Sequence, residues 1–383
     1  MFNAPPPLSL DSHQLYLEIP ESLQMSEQAH STPGAYQRAE INQLCFQAFL
    51  PWFREEFDSS AQVYPNTAAL PSFWEIVNGT TISFDSSGLV LIPTLAMDGD
   101  ELRVQQEWVD IPGWAADYYI AVQVNSEDGW IKILGYTTHH DLKTKGIYDF
   151  TDRTYSLDSE DLIQDLNVLW VNRQLNYTET LQAQITPLAS IPQTQAYQLL
   201  KRLGNCDLKF PRLAVPFSVW GALIAHGGWR EKLYELRQGL PEQWSIPQWL
   251  QTGVTNLAQQ WGWKKRELVM VPTGMRSVEA VIGLSRQLII AGNTYELRIF
   301  PTSNPENQIW RFELQSATPG NQIPIGFKLR LLTEDLQPFE NNQDTAITPV
   351  DRLSVEVILE PKEGLVWEIE PRADGWEREV LQF

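Results

Sequence analysis

The sequence predicts an α+β protein: an N-terminal mixed antiparallel sheet with packed helices, a helical connector and a C-terminal antiparallel β-sandwich. Three observations lead to this prediction. An amphipathic helix pattern lies near the N-terminus, helical patterns that end in glycine fill the middle, and the apolar period changes from about 3.6 to about 2 residues after residue 266. We therefore expect an α+β domain at 1–186, a helical connector at 187–265 and a β-sandwich-like domain at 266–383.

In the N-terminal domain, helices are expected to pack on one face of a mainly antiparallel sheet. The first helix has Ser31 or Thr32 as its N-cap, Pro33 in its first turn and an apolar stripe over Ile41–Trp52. A second helix is predicted from about Asp158 to Gln174, with acidic residues at its start. Strand patterns occur at Leu15–Ile19, Thr80–Phe84, Gly88–Pro93, Leu102–Val109, Tyr118–Val124 and Trp130–Tyr136.

The middle and the C-terminal part of the chain differ in their apolar period. Four helices, each ending at a glycine, are predicted at 194–203, 217–225, 231–237 and 245–261. Seven short strands are then predicted, which is typical of an antiparallel sandwich. They are Arg266–Val271, Gln287–Ala291, Tyr295–Phe300, Ile309–Leu314, Phe327–Leu332, Leu353–Leu359 and Val366–Glu370.

Charge is distributed unevenly along the chain. Against 48 Asp and Glu there are 28 Lys and Arg, a formal net charge of −20, yet residues 187–266 carry a net +6. The overall acidity disfavours nucleic acids and anionic membranes as partners, since both are bound largely through Lys and Arg. Docking of the basic middle on an acidic partner protein or on the chain's own acidic flanks is electrostatically reasonable, but simple solvation of helix faces is the favoured interpretation.

Few motifs of reactive or cofactor-binding sites occur. Two cysteines, Cys45 and Cys206, are too few for a disulfide scaffold. Glycine-rich phosphate loops, C-x-x-C pairs and the H-E-x-x-H motif are absent from the sequence, so we expect no catalytic residue, no cofactor and no metal. No leader and no apolar run long enough to span a bilayer is visible, which predicts a cytoplasmic protein.

The main alternative is a metal-dependent hydrolase or nuclease. Asp117, Asp141 and Lys143 loosely match two acids plus a lysine that hold a divalent ion and stabilise developing charge, and His139 lies beside them. The alternative requires these four side chains to converge in one cleft.

The preferred hypothesis is a non-enzymatic regulatory or adaptor protein that acts through protein–protein interaction. Aromatic residues in loops and at strand ends anchor many interfaces, although they also fill small cores. The basic run at the connector's end is the second candidate, although a solvated helix exit is the favoured interpretation of this run. The candidate interaction residues are Trp114, Tyr118, Tyr119, His139, Lys264, Lys265 and Arg266.

Several segments together resemble a family of cyanobacterial proteins characterised only as a domain of unknown function. The resemblance covers nearly the whole chain, and it implies no established activity, ligand or catalytic residue. The segments that carry it include Ile111–Tyr119, Gly135–His139, Asp165–Trp170, Gly326–Leu331 and Glu368–Pro371.

Overall fold

The computed structural model describes residues 15–20, 30–174, 181–270, 279–302 and 308–383. The chain divides into two compact units. Unit 1 comprises the described residues up to Ala189 together with Cys206–Ala225, and unit 2 comprises Ser190–Asn205 together with the described residues from His226 to Phe383. The segment predicted as a connector, 187–265, is thus shared between the two units.

Ten α-helices lie in the described ranges. They are α1 (Pro33–Glu56), α2 (Leu70–Trp74), α3 (Gln106–Asp110), α4 (His139–Lys145), α5 (Leu166–Gln174), α6 (Gln193–Leu203), α7 (Phe217–Ala225), α8 (Gly227–Gln238), α9 (Ile246–Thr252) and α10 (Asn256–Gln260). Short 3₁₀ turns occur at Ser159–Asp161 and Pro211–Leu213. Of these helices, none combines the length and the hydrophobicity that a bilayer crossing requires.

The strands alternate with these helices in unit 1 and follow them in unit 2. Unit 1 contains β1 (Tyr16–Glu18), β2 (Gln62–Tyr64), β3 (Thr80–Phe84), β4 (Ser87–Thr94), β5 (Glu101–Gln105), β6 (Tyr118–Asn125), β7 (Trp130–Thr138), β8 (Ile147–Asp149) and β9 (Thr154–Asp158). Unit 2 contains β10 (Trp263–Met270), β11 (Glu279–Ile290), β12 (Asn293–Pro301), β13 (Ile309–Ser316), β14 (Lys328–Thr333), β15 (Gln343–Thr345), β16 (Arg352–Ile358), β17 (Gly364–Glu370) and β18 (Leu381–Gln382).

Unit 1 is built on a six-stranded mixed sheet of order β1-β7-β6-β4-β3-β2. β4 and β6 run parallel, and the other neighbouring pairs are antiparallel. A second, antiparallel sheet has the order β5-β9-β8. Helix α1 packs on the larger sheet, mainly against β4.

The first helix forms where its pattern predicts. The Thr32 hydroxyl accepts a hydrogen bond from the Ala35 N–H at 3.1 Å, which satisfies one of the free N–H groups of the first turn. The face that carries Leu44, Cys45 and Phe49 is buried. Helix capping and an apolar stripe therefore confirm the predicted helix.

Unit 2 contains two antiparallel sheets, a five-stranded one of order β10-β11-β12-β13-β16 and a four-stranded one of order β15-β14-β17-β18. Their buried faces contact each other through aromatic rings. The ring centroids of Trp263 and Trp367 are 6.4 Å apart. The α+β class and the C-terminal antiparallel sheets are therefore confirmed; the last residue of the predicted strand Arg266–Val271 lies outside the described residues.

The predicted strand Leu102–Val109 is wrong in its second half. β5 ends at Gln105, and α3 follows it. Glu107, Trp108 and Val109 are consecutive and all buried, which differs from the alternating burial of a strand with one exposed face. The burial of Glu107, described below, overrides the local strand pattern.

Three predicted helices have different bounds. The helix predicted at 231–237 is α8, which begins four residues earlier, at Gly227. Residues 158–165 are not α-helical, because Ile163 pairs with Tyr136 of β7 through two backbone hydrogen bonds of 2.9 Å, and α5 begins only at Leu166. The helix predicted at 245–261 is two helices, α9 and α10. Gly253, with φ +105°, ends α9 in a conformation that favours glycine.

Candidate interaction site

The four N-terminal candidates lie in the core of unit 1. Trp114, Tyr118, Tyr119 and His139 are each at most 6% exposed. The ring of Trp114 lies 4.6 Å from that of Phe73, centroid to centroid. Contact with a partner would require these side chains to leave the core, so we do not place the proposed interaction surface there.

His139 is held by a hydrogen bond at each ring nitrogen. Nε2 lies 2.8 Å from the carbonyl oxygen of Val109, and Nδ1 lies 2.9 Å from the backbone nitrogen of Ala183. Because Ala183 donates to Nδ1, the proton sits on Nε2 and the ring is neutral. Burial lowers the pKa of His139, which agrees with this neutral state.

The carboxylates of the hydrolase alternative have separate partners. Asp117 accepts hydrogen bonds from the Gly88 N–H at 3.0 Å and from Gln182 Nε2 at 2.9 Å. Asp141 accepts one from Lys145 Nζ at 2.9 Å, one helical turn away. The carboxylates of Asp117 and Asp141 therefore accept hydrogen bonds from different residues.

Lys143, the fourth residue of that alternative, is bound elsewhere. Its ammonium donates to Asp110 Oδ1 at 2.5 Å and to the Gln184 carbonyl at 3.2 Å. Among the described residues, no group of three His, Cys, Asp or Glu side chains could hold a metal ion. The hydrolase alternative gains no support from these contacts and stays a prediction.

Unit 1 also contains a large cleft of about 1110 Å³, beside the first turn of α1. Two arginines at its wall are bound to the protein's own carboxylates. Arg103 contacts Glu101 and Asp152, and Arg212 contacts Glu107. No particular ligand follows from this lining.

The basic candidates lie in unit 2, where they form an exposed part of β10. We call Lys264, Lys265 and Arg266 the basic edge. All three are exposed, whereas the preceding Trp263 is fully buried. β10 is the outermost strand of the five-stranded sheet and pairs on one side with β11. The basic edge is therefore carried by an edge strand that extends beyond the core.

The strand register divides the basic edge between two faces. Lys264 and Arg266 point to the outer face, opposite Ser285 and Gly283 of β11, which carry no charge. In the described ranges neither cation has an ion-pair partner. Their charges are therefore available to an incoming group.

Lys265 lies on the same face as Trp263. Its ammonium donates a hydrogen bond to the carbonyl oxygen of Leu250. A groove of about 360 Å³ lies next to this part of β10 and is lined by Val254, Gln259, Trp263, Lys264 and Lys265. The edge strand thus has charge on its outer face and a small, partly apolar groove beside it.

A buried cluster fixes the start of β10. We call Arg286, Glu379, Trp261, Trp263 and Trp367 the Arg286 cage. Glu379 accepts hydrogen bonds from the indoles of Trp263 and Trp367, at 3.1 and 2.7 Å, and from Arg286 at 3.1 Å. The guanidinium lies 5.5 to 6.0 Å from the centroids of three indole rings. The cage therefore holds β10 where the strand leaves the core.

The electrostatics of the cage depend on the balance between burial and pairing. Burial raises the pKa of Glu379, while the Arg286 guanidinium and the indole N–H groups oppose that shift. Arg286 keeps its charge in proteins, so the carboxylate is the member of the pair that can change its protonation state.

Another buried acid of unit 2, Glu235 on α8, has no hydrogen-bond partner at either carboxylate oxygen within the described part of the chain. The Lys232 ammonium lies 3.8 Å from Oε2. Burial raises the pKa of Glu235 to about 8, although Lys232 opposes the shift. Burial therefore favours the protonated form of Glu235 in the folded protein.

Replacing Glu235 by glutamine is expected to flatten the pH dependence of stability. The folded pKa is about 8, and an unfolded glutamate titrates near about 4.3. Between these values the folded state alone keeps the proton, so the free energy of unfolding falls as the pH rises. This group contributes a slope approaching about 1.4 kcal/mol per pH unit, which E235Q removes.

Urea unfolding between about pH 5 and about pH 8 measures this slope, with Glu340→Gln at another exposed carboxylate of unit 2 as the control. Parallel curves for the wild type and E235Q would contradict the assignment.

Sequence reasoning missed the Arg286 cage, although one signal existed. Arg286 lies in the inward series of β11 between Leu284 and Leu288, both buried. A charged residue in such a series predicts a buried partner of opposite charge. Glu379 gave no signal, because it lies in an irregular segment before β18.

Comparison with known proteins gives one match. A family model described as "Protein of unknown function (DUF1822)" matches residues 17–382. A search of curated proteins found no match, and neither did a search of solved structures. Over almost its whole length, therefore, the chain belongs to the DUF1822 family of proteins of unknown function.

Proposed function

We propose that this protein is a non-enzymatic regulatory or adaptor protein that binds a partner protein through the basic edge. One observation carries the proposal: three consecutive basic residues, Lys264, Lys265 and Arg266, are exposed on an edge strand. Edge strands offer free backbone groups as well as side chains, which makes them common sites of protein association.

The charge of the chain supports an acidic partner surface. The protein carries a net charge of −20, so a local cluster of three cations stands out against its surroundings. An acidic surface of a partner would be attracted to this cluster and repelled by the rest of the molecule, which orients the encounter. Nucleic acids and anionic membranes would meet that repulsion over a larger area, so neither belongs to the proposal.

The proposal includes the setting in which the protein acts. The resemblance noted above supports a cyanobacterial origin, and the two cysteines, Cys45 and Cys206, are both free, as is usual in a reducing cytoplasm. We therefore propose a cytoplasmic partner and no cofactor.

Reversing the charge of the outer face tests the proposal. Immobilised wild-type protein and the double variant K264E/R266E are incubated with native extract of the source cells, and bound proteins are quantified by mass spectrometry. We expect at least one protein to be enriched on the wild type and reduced by about tenfold or more on the variant, because like charges across an interface repel.

The matched control is K201E/K362E, which makes the same charge change at two other exposed lysines of unit 2. It should retain the bound protein. Identical protein sets on all three baits, or none above background, would refute an interaction through the basic edge.

A further inference from the structure

We infer that the basic edge recognises an extended segment of alternating acidic and apolar residues, which adds to the five-stranded sheet as a sixth strand along β10. This inference rests on the proposed function and names the chemistry of the partner. The free side of β10 provides the backbone groups, and the two faces of the strand provide the selectivity.

Backbone pairing is available along the part of β10 that follows Trp263. In the described residues, β10 makes its ladder with β11, and no backbone hydrogen bond joins 264–267 to another segment. Residues 264–267, which carry the N–H and C=O groups on the opposite side of the strand, are exposed. An added strand would satisfy them, as peptides do at the sheet edges of other binding proteins.

Charge selects the sequence of the added strand. Lys264 and Arg266 are two residues apart on the outer face, a separation of about 6.6 Å along a strand. Acidic side chains two residues apart on the added strand would stand beside them, since cross-strand neighbours on one face interact. The same cations repel the equivalent edge of a second copy, which disfavours self-pairing.

The opposite face selects for an apolar side chain. Residues between the acids point to the face of Trp263 and Lys265, beside the groove that Val254 helps to line. A groove of about 360 Å³ has room for an aliphatic side chain. Lys265 is engaged with Leu250, and Glu267 lies further along this face, so little free positive charge remains there.

A synthetic peptide tests both parts of the inference. The probe is a fluorescein-labelled octapeptide of alternating Val and Glu, with the Val–Lys octapeptide and a single-stranded DNA dodecamer as comparisons. Anisotropy titrations of the full-length protein at low salt should show binding of the Val–Glu peptide and about tenfold weaker binding by K264E/R266E. K201E/K362E should bind as the wild type does.

N-methylation separates strand pairing from charge attraction. Along a strand, alternate N–H groups point to the same edge, so methylating all Glu amides or all Val amides blocks one edge of the peptide at a time. We expect one methylated peptide to lose binding and the other to keep it.

Strand addition would be refuted if both methylated forms of the Val–Glu peptide bound equally well, or if the unmethylated peptide did not bind at all. It would also be refuted if the DNA dodecamer bound as tightly as the Val–Glu peptide. If the peptide experiments fail but the capture of proteins from cell extract still requires Lys264 and Arg266, the adaptor proposal survives and only strand addition is refuted. If the capture experiment also fails, both proposals are refuted.

Discussion

Replacing Glu107 by alanine is expected to destabilise unit 1 by about 3–5 kcal/mol, the usual effect of removing one partner from a buried ion pair. The Glu107 carboxylate is fully buried and accepts hydrogen bonds from Arg212 at 2.9 and 2.7 Å and from the Trp220 indole at 2.7 Å. Without Glu107, the Arg212 guanidinium remains buried without a counter-charge, and it cannot release its proton.

The loss should be local as well as large. Arg212 and Trp220 lie in Cys206–Ala225, the segment that joins unit 1 from the second half of the chain. Limited proteolysis should therefore cut this segment earlier in E107A than in the wild type, and thermal unfolding should begin at a lower temperature. Arg103→Ala is the control, because its ion pairs are exposed and such pairs contribute at most about 1 kcal/mol. Equal effects of the two substitutions would contradict the assignment.

The two members of the pair in the Arg286 cage are expected to respond differently to substitution. Glu379→Gln leaves the buried Arg286 charge uncompensated and should destabilise unit 2 by about 3 kcal/mol or more. Arg286→Met leaves a buried carboxylate, whose pKa burial already raises. Because Glu379 can take up a proton, the cost of R286M should be smaller at neutral pH.

The stability of R286M is expected to fall as the pH rises. In the folded state of this variant, the pKa of Glu379 lies above the unfolded value of about 4.3. The stabilising contribution of this group is therefore complete below about pH 4.3 and is lost as the pH rises through the folded pKa. E379Q should lack this additional dependence. Chemical unfolding of both variants across the neutral range measures the difference; a cost of R286M that does not grow with pH would show that Glu379 stays charged without Arg286.

Local sequence signals were sufficient where capping and periodicity agree. Thr32 and Pro33 mark the start of α1, and α7 has the predicted bounds Phe217–Ala225. The β3 bounds are also as predicted, since a short run rich in β-branched residues is enclosed by turn residues. These elements need no information from distant parts of the chain.

Elements that depend on distant contacts could not be predicted in this way. Residues Gln106–Asp110 form a helix rather than a strand, because Glu107 is buried against an arginine more than one hundred positions away. His226 follows α7, and its ring accepts a hydrogen bond from the Trp229 N–H as the N-cap of α8. The sequence pattern predicted a helix at 217–225 and the next one only from 231, so it left His226 between two helices.

The candidate residues show the same division. Lys264, Lys265 and Arg266 are three consecutive charged residues, and such a run is usually exposed. The aromatic residues Trp114 and Tyr119 are equally common in cores and interfaces, so only the fold decides between the two. A sequence gives the type of each side chain, whereas the residues that surround it come from distant segments that folding brings together.

The path of the chain between the two units has a consequence for protein synthesis. The chain passes from one unit to the other three times, after Ala189, Asn205 and Ala225. A nascent chain that has left the ribosome only as far as residue 189 therefore lacks both donors to Glu107, Arg212 and Trp220. Glu107 therefore has all its partners only once residue 220 has left the ribosome, although N-terminal domains generally fold first during translation. A gene fragment that stops at 189 would encode a product that lacks both hydrogen-bond donors to Glu107.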